Sequence, residues 1–146
     1  MEFVENDGGR AKAGYKGDAG DCVCRSIAIA TETPYQEVYD ALNKMGKLER
    51  TGNRKRGKSS SRNGVYKNTI RKYMESIGWV WVPTMHIGQG CNVHLREDEL
   101  PKGRLVVSVS KHTTAVIDGV ILDTHDPARG GQRCVYGYYT DTPESS

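Results

Sequence analysis

The sequence predicts an α+β fold, and three observations carry the prediction. Apolar residues in the first half recur at helical spacing. The second half breaks into short β-branched and aromatic runs, and an Asp-Gly pair at 118–119 sits between two of them. Helices therefore come first and an antiparallel sheet second. With 146 residues and a mean hydropathy of −0.64, the chain has room for one compact core. No repeat marks a second domain, so a single domain over residues 1–146 is expected.

Residues 1–21 are polar and glycine-rich and read as an extended or looped lead-in. "CVCRSIAIA" follows as a short helix, with Val23, Ile27 and Ala30 at helical spacing and Asp21 as its N-cap. "TPYQEVYDALNKMG" is the clearest helix in the chain. Thr33 and Gln36 form a capping box, Pro34 takes the first position and Gly46 supplies the stop. Tyr35, Val38, Tyr39, Leu42 and Met45 line one face of it. Residues 47–64 break every periodicity and read as a basic, flexible loop. "VYKNTIRKYMESIG" returns to helix and stops at Gly78. "WVWV", "RLVVSVS", "TTAVID", "VILDT" and "CVYGYYT" then read as strands, the middle pair closed into a hairpin by Asp118-Gly119.

Composition excludes several classes. No segment approaches the ~20 apolar residues of a membrane span, and the first residues carry no apolar stretch of a secretion signal. A cytoplasmic protein with no membrane partner is expected. Its four cysteines, Cys22, Cys24, Cys91 and Cys134, are then reduced. Their spacing and that of the four histidines does not meet the pairing rule for zinc, so neither metal nor organic cofactor is expected. The net charge of +3 is concentrated in "RTGNRKRGKSSSR". That stretch reads as a solvated loop that recruits substrate or flaps over a cleft. Without it the chain is acidic, which argues against nucleic-acid binding as the main function.

One constellation carries chemistry. Cys22 opens a helix, where unpaired amides and the positive end of the dipole stabilise a thiolate. Cys24, turned ~200° further round the helix, packs instead. A two-residue turn at Asp118-Gly119 pairs residues whose numbers sum to 237, so His112 faces His125. Asp123 then lies on the face of His112 as its diagonal neighbour, within ~7–8 Å. A carboxylate there can orient the imidazole. Asp126 is the rival acid and needs a bulge to reach the same face. Cys91 with His94 is a second thiol–imidazole pair, without a helix start or an evident acid.

The "DC" at 21–22 and the later "HTTAVIDGVILDT" resemble papain-like cysteine peptidases, above all the compact bacterial and phage members that include bacteriocin-leader peptidase domains. The resemblance runs from Cys22 to Asp126-Pro127. It implies a papain-like fold and a cysteine hydrolase of peptide, isopeptide or related amide and thioester bonds. Cys22 is then the nucleophile, His112 the base and Asp123 (or Asp126) the orienting acid. It implies a protein or peptide substrate, such as a host protein, in a bacterial or phage-infected cytoplasm. Where the family carries an oxyanion-hole Gln six residues before the cysteine, this chain has Lys16. The donor falls to backbone amides, to Lys16 or Tyr15, or to a protonated Asp18. The alternatives are a catalytically inactive papain-like module that sequesters a host protein, and a nucleic-acid binder built on the basic loop.

Overall fold

A computed structural model describes residues 1–16, 20–49, 58–86 and 88–141. In chain order these form β1 (Glu2–Glu5), α1 (Cys22–Thr31), α2 (Tyr35–Lys47), α3 (Lys67–Ser76), β2 (Val80–Pro83), β3 (Arg104–Val109), β4 (His112–Ile117), β5 (Val120–Asp123) and β6 (Val135–Thr140). The fold is α+β, with the strands in one mixed sheet of order β1-β5-β4-β3-β6-β2.

The β4–β5 hairpin forms in the expected register: Ala115 faces Leu122, Val116 faces Ile121 and Ile117 faces Val120. Asp118 and Gly119 both take positive φ, 50° and 82°. That is the two-residue turn whose twist matches the strands it joins. Alternation then sorts the sheet into two faces. Val106, Ala115 and Tyr139 meet α1, α2 and α3 in one core. Leu105, Val107, Val116, Ile121 and Val135 form a second core beneath Leu95, Leu100 and Ala128.

Several expectations need correction. Residues 2–5 are a strand rather than a loop, pairing parallel with β5, so the sheet is mixed and not wholly antiparallel. Phe3 packs on the second core, which stabilises the short strand. Thr33 and Gln36 form no capping box. Pro34 is the N-cap of α2, Thr33 Oγ1 lies 2.8 Å from Thr31 Oγ1, and Gln36 donates to Asp40. Gly46 lies inside α2 rather than ending it, because a Cβ there would come within 2.3 Å of the Ser59 carbonyl.

That contact also revises the basic loop. Of residues 47–64, positions 50–57 lie outside the described residues, but the limb at 58–64 is packed. Glu49 accepts from Ser59 N at 2.6 Å and from the Ser59 and Thr69 hydroxyls. Ser61 bonds Asn43 and the Tyr39 carbonyl. Anchored this way, the limb brings the Arg62 and Asn63 carbonyls against Gly20, two residues before Cys22.

Candidate active site

Cys22 is the first residue of α1. Arg25 N–H makes the first bond of the helical ladder, to Asp21 O at 3.0 Å, so the amides of Cys22, Val23 and Cys24 lie ahead of it. Ser26 fastens this turn to β4: its hydroxyl lies 2.6 Å from Cys22 O and 2.9 Å from Thr113 O. The docking places Cys22 beside His112, close enough for the thiol and the imidazole to act on each other's charge state. On the other side of the imidazole, Nε2 meets Asp123 Oδ2 at 2.7 Å, leaving Nδ1 to face the thiol.

Asp123 is 3% exposed and doubly held. Thr124 N–H donates to Oδ1 at 2.7 Å, and Asn6 N–H, just past β1, donates to its carbonyl at 2.8 Å. Asp126 is not part of the cluster. It is exposed and caps its own turn through Ala128 N–H at 3.0 Å.

The electrostatics follow from this geometry. Burial pushes the Cys22 thiol up, but the bond and positive charge of His112 outweigh it, and its pKa lies below the ordinary thiol value. Burial works against an imidazolium at His112, yet Asp123 and Cys22 together hold its pKa up to about 9. Burial would raise Asp123, but the hydrogen bond from His112 holds it below the usual carboxylate range. Both shifts run in the direction of a thiolate–imidazolium pair. Cys24, two residues on, is fully buried against the Tyr35 carbonyl, and burial pushes its thiol up to about 12.

Sequence reasoning missed a charged network behind the triad. Asp21 sits at the N-cap position but its side chain makes no cap bond. It is buried and accepts from Tyr35 OH at 2.6 Å, from Arg10 Nε at 3.2 Å and from Arg25. Arg25 reaches on to Asp123, Nη2 to Oδ1 at 3.6 Å. The i,i+4 spacing of Asp21 and Arg25 was a readable signal. The Arg25–Asp123 contact spans α1 and β5 and left no local trace. His125 packs on His112 at a tilt of 47°, with ring centroids 5.0 Å apart.

Of the expected side-chain oxyanion donors, Tyr15 is engaged elsewhere. It donates to Gln36 Oε1 at 2.7 Å and packs on Tyr35 and Tyr39. Lys16 is exposed and is held through its carbonyl by Arg10, and Asp18 lies outside the described residues. The backbone amides at the start of α1 are the donors this geometry offers.

Cys91 and Cys134 correct the expectation of four free thiols: they form a disulfide. A bridge between His94 and Cys134 brings the two segments together, and the Cα atoms stand 5.8 Å apart. His94 Nε2 lies 3.7 Å from Cys91 Sγ, and Nδ1 lies 3.2 Å from Glu99. Among the described residues, no group of three or more His, Cys, Asp and Glu side chains is arranged to hold a metal, and no helix is long and apolar enough to cross a membrane. No family model, curated protein or solved structure matches the chain.

Proposed function

We propose that this protein is a papain-like cysteine hydrolase that cleaves a peptide, isopeptide or related amide or thioester bond. The observation that carries the reading is the relay Cys22–His112–Asp123, in which a helix-start thiol of lowered pKa meets an imidazole held by a buried carboxylate. Cys22 thiolate attacks the carbonyl carbon, and the carbonyl electron pair moves onto oxygen, facing the amides ahead of the first helical bond of α1. Collapse breaks the bond to the leaving group, which takes the His112 proton when it is an amine and leaves a thioester on Cys22. Water then gives its proton to His112, adds to the thioester, and releases the acid and the free thiol. Asp123 keeps the imidazole in the tautomer that both steps need. The compact bacterial and phage peptidases it resembles suggest a host protein as substrate and a bacterial cytoplasm as its setting.

The test is site-resolved alkylation with iodoacetamide, read by mass spectrometry, followed by turnover of short peptidyl thioesters. Cys22 is expected to react far ahead of Cys24 near neutral pH, and His112→Ala to slow it. Equal, slow labelling of both thiols would sink the reading. Fast labelling without turnover of any probe would favour an inactive module that holds a partner.

A further inference from the structure

Between α3 and the sheet lies a cavity of about 280 Å³ that no residue of the triad fills. That is below the ~300–1,000 Å³ of pockets holding whole small molecules, and suits a single large side chain. Val106 and Tyr139, from neighbouring strands, form its apolar floor. Trp81 forms a wall, its ring centroid 4.9 Å from that of Tyr139. The wall depends on Gly137, because a Cβ there would come within 2.4 Å of the indole. The indole therefore sits against β6 at Gly137, where a larger residue would push it out.

Two further features tie this cavity to the thiol and give it a charge preference. Thr113 lines it, and the Ser26 hydroxyl ties the carbonyl of that same residue, at 2.9 Å, to the Cys22 carbonyl, at 2.6 Å. A group seated in the cavity thus touches a residue bound to Cys22 through one hydroxyl. Lys67 and Arg71, both exposed on α3, stand at the rim, and among the described residues no carboxylate lines the cavity. Arg71 shares its charge with Glu75 at 2.9 Å, so Lys67 carries most of the preference.

We propose that this cavity is the specificity pocket of the hydrolase and takes a large apolar side chain, aromatic or aliphatic, from a peptide carrying an acidic residue beside it. The proposal rests on Cys22 being the nucleophile, and the test separates the two. Short peptides ending in a vinyl sulfone, with Phe walked through a glycine backbone beside Glu or Lys, are compared by their rate of labelling Cys22. One Phe-Glu placement is expected to exceed the all-glycine probe by roughly tenfold or more. Ser108→Phe, which fills the cavity, removes that advantage. Lys67→Glu with Arg71→Glu, both on the exposed face of α3, removes the preference for Glu over Lys without touching the core.

Equal rates across the probes, in a protein whose Cys22 still reacts fast with iodoacetamide, would overturn the pocket and leave the hydrolase standing. Should Cys22 prove unreactive, the same question passes to Cys22→Ala protein titrated with the free Phe-Glu peptide, read by Trp81 fluorescence. A saturable change that Ser108→Phe abolishes supports the cavity as a peptide site, and no change overturns it.

Discussion

Cys22, His112 and Asp123 stand where the start of α1 meets the β4–β5 hairpin; Cys91, His94 and Glu99 stand in the segment ahead of β3. Both clusters contain a sulfur, an imidazole and a carboxylate within reach of one another. In the first, the thiol is free, the acid is buried and Arg25 stands behind it. In the second, the sulfur is tied to Cys134 and is exposed. Glu99 is held below the usual carboxylate range by His94 and shares its charge with Arg96 at 3.5 Å. The residue types are alike, and the chemistry is set by what surrounds them. In the proposed hydrolase, a helix start, a dry carboxylate and a free sulfur make Cys22 the nucleophile, whereas a loop and a disulfide make the second cluster a brace.

The sharpest way to break this contrast is His112→Ala set beside His94→Ala. In the proposed hydrolase, loss of His112 is expected to cut peptidyl thioester turnover by about 10²–10⁴, and loss of His94 to leave it alone. The pH profile of Cys22 alkylation adds a sign. Folding raises the His112 pKa from 6.5 to about 9, so the imidazolium contributes stability in full below pH 6.5 and loses it as pH climbs through about 9. Folding lowers the Cys22 pKa from 9.0, so the thiolate contributes above pH 9 and loses that contribution as pH falls through its folded value. Wild-type alkylation should therefore rise at a pH below the ordinary thiol range and change again near 9. In His112→Ala the first limb moves up and the second vanishes.

Asp123→Asn is the next largest. It keeps the shape but replaces an acceptor with an amide that can present a donor to Nε2, and a third member alone usually costs one to two orders less than the base. A loss of roughly 10²-fold is expected, against none for Glu99→Gln; equal losses in the two variants would erase the distinction between the clusters. Arg25→Lys comes third. Lysine keeps one charge but cannot span Asp21 and Asp123 together, as the guanidinium fork does. Turnover should fall by about threefold to tenfold, and the alkylation limb of Cys22 should move if Arg25 acts through Asp123. A purely structural Arg25 would lower the melting temperature and leave that limb in place.

The hairpin, the three helices and the placing of Asp123 beside His112 were legible because each is written locally, whereas Cys22 was set beside them only through the resemblance to papain-like peptidases. A helix start, a positive-φ turn and strand alternation are short-range physics. What was hidden depends on distant partners. "EFVE" is too short and too polar to announce a strand, and becomes one only when Phe3 finds the second core. Gly46 looked like a stop because glycine often ends helices, yet its position is set by the Ser59 carbonyl pressing on it. Asp21 looked like a cap, but Arg10, Arg25 and Tyr35 together outbid the helix amides for its carboxylate. The Cys91–Cys134 bond joins residues 43 apart, and nothing in their spacing shows it.

Cys134→Ser should have the smallest effect on Cys22 chemistry and so sharpens the contrast from the other side. Opening a loop of this length is expected to cost about 2–4 kcal/mol, a drop of several degrees in the melting temperature. The segments should nevertheless stay paired. Leu95 N–H donates to Arg133 O at 2.8 Å, Val135 N–H donates to Val93 O at 2.8 Å, and Leu95 and Val135 remain buried in the second core. Cys22 belongs to the other face of the sheet, where α1 packs on β4. Perturbations that share no partner usually leave each other unchanged to within about 0.5 kcal/mol, so the alkylation rate of Cys22 should stay within about twofold of wild type. A larger fall would mean that the disulfide holds the β4–β5 hairpin through β3 and β4, and the two clusters would then be one mechanical unit rather than a proposed nucleophile and a separate brace.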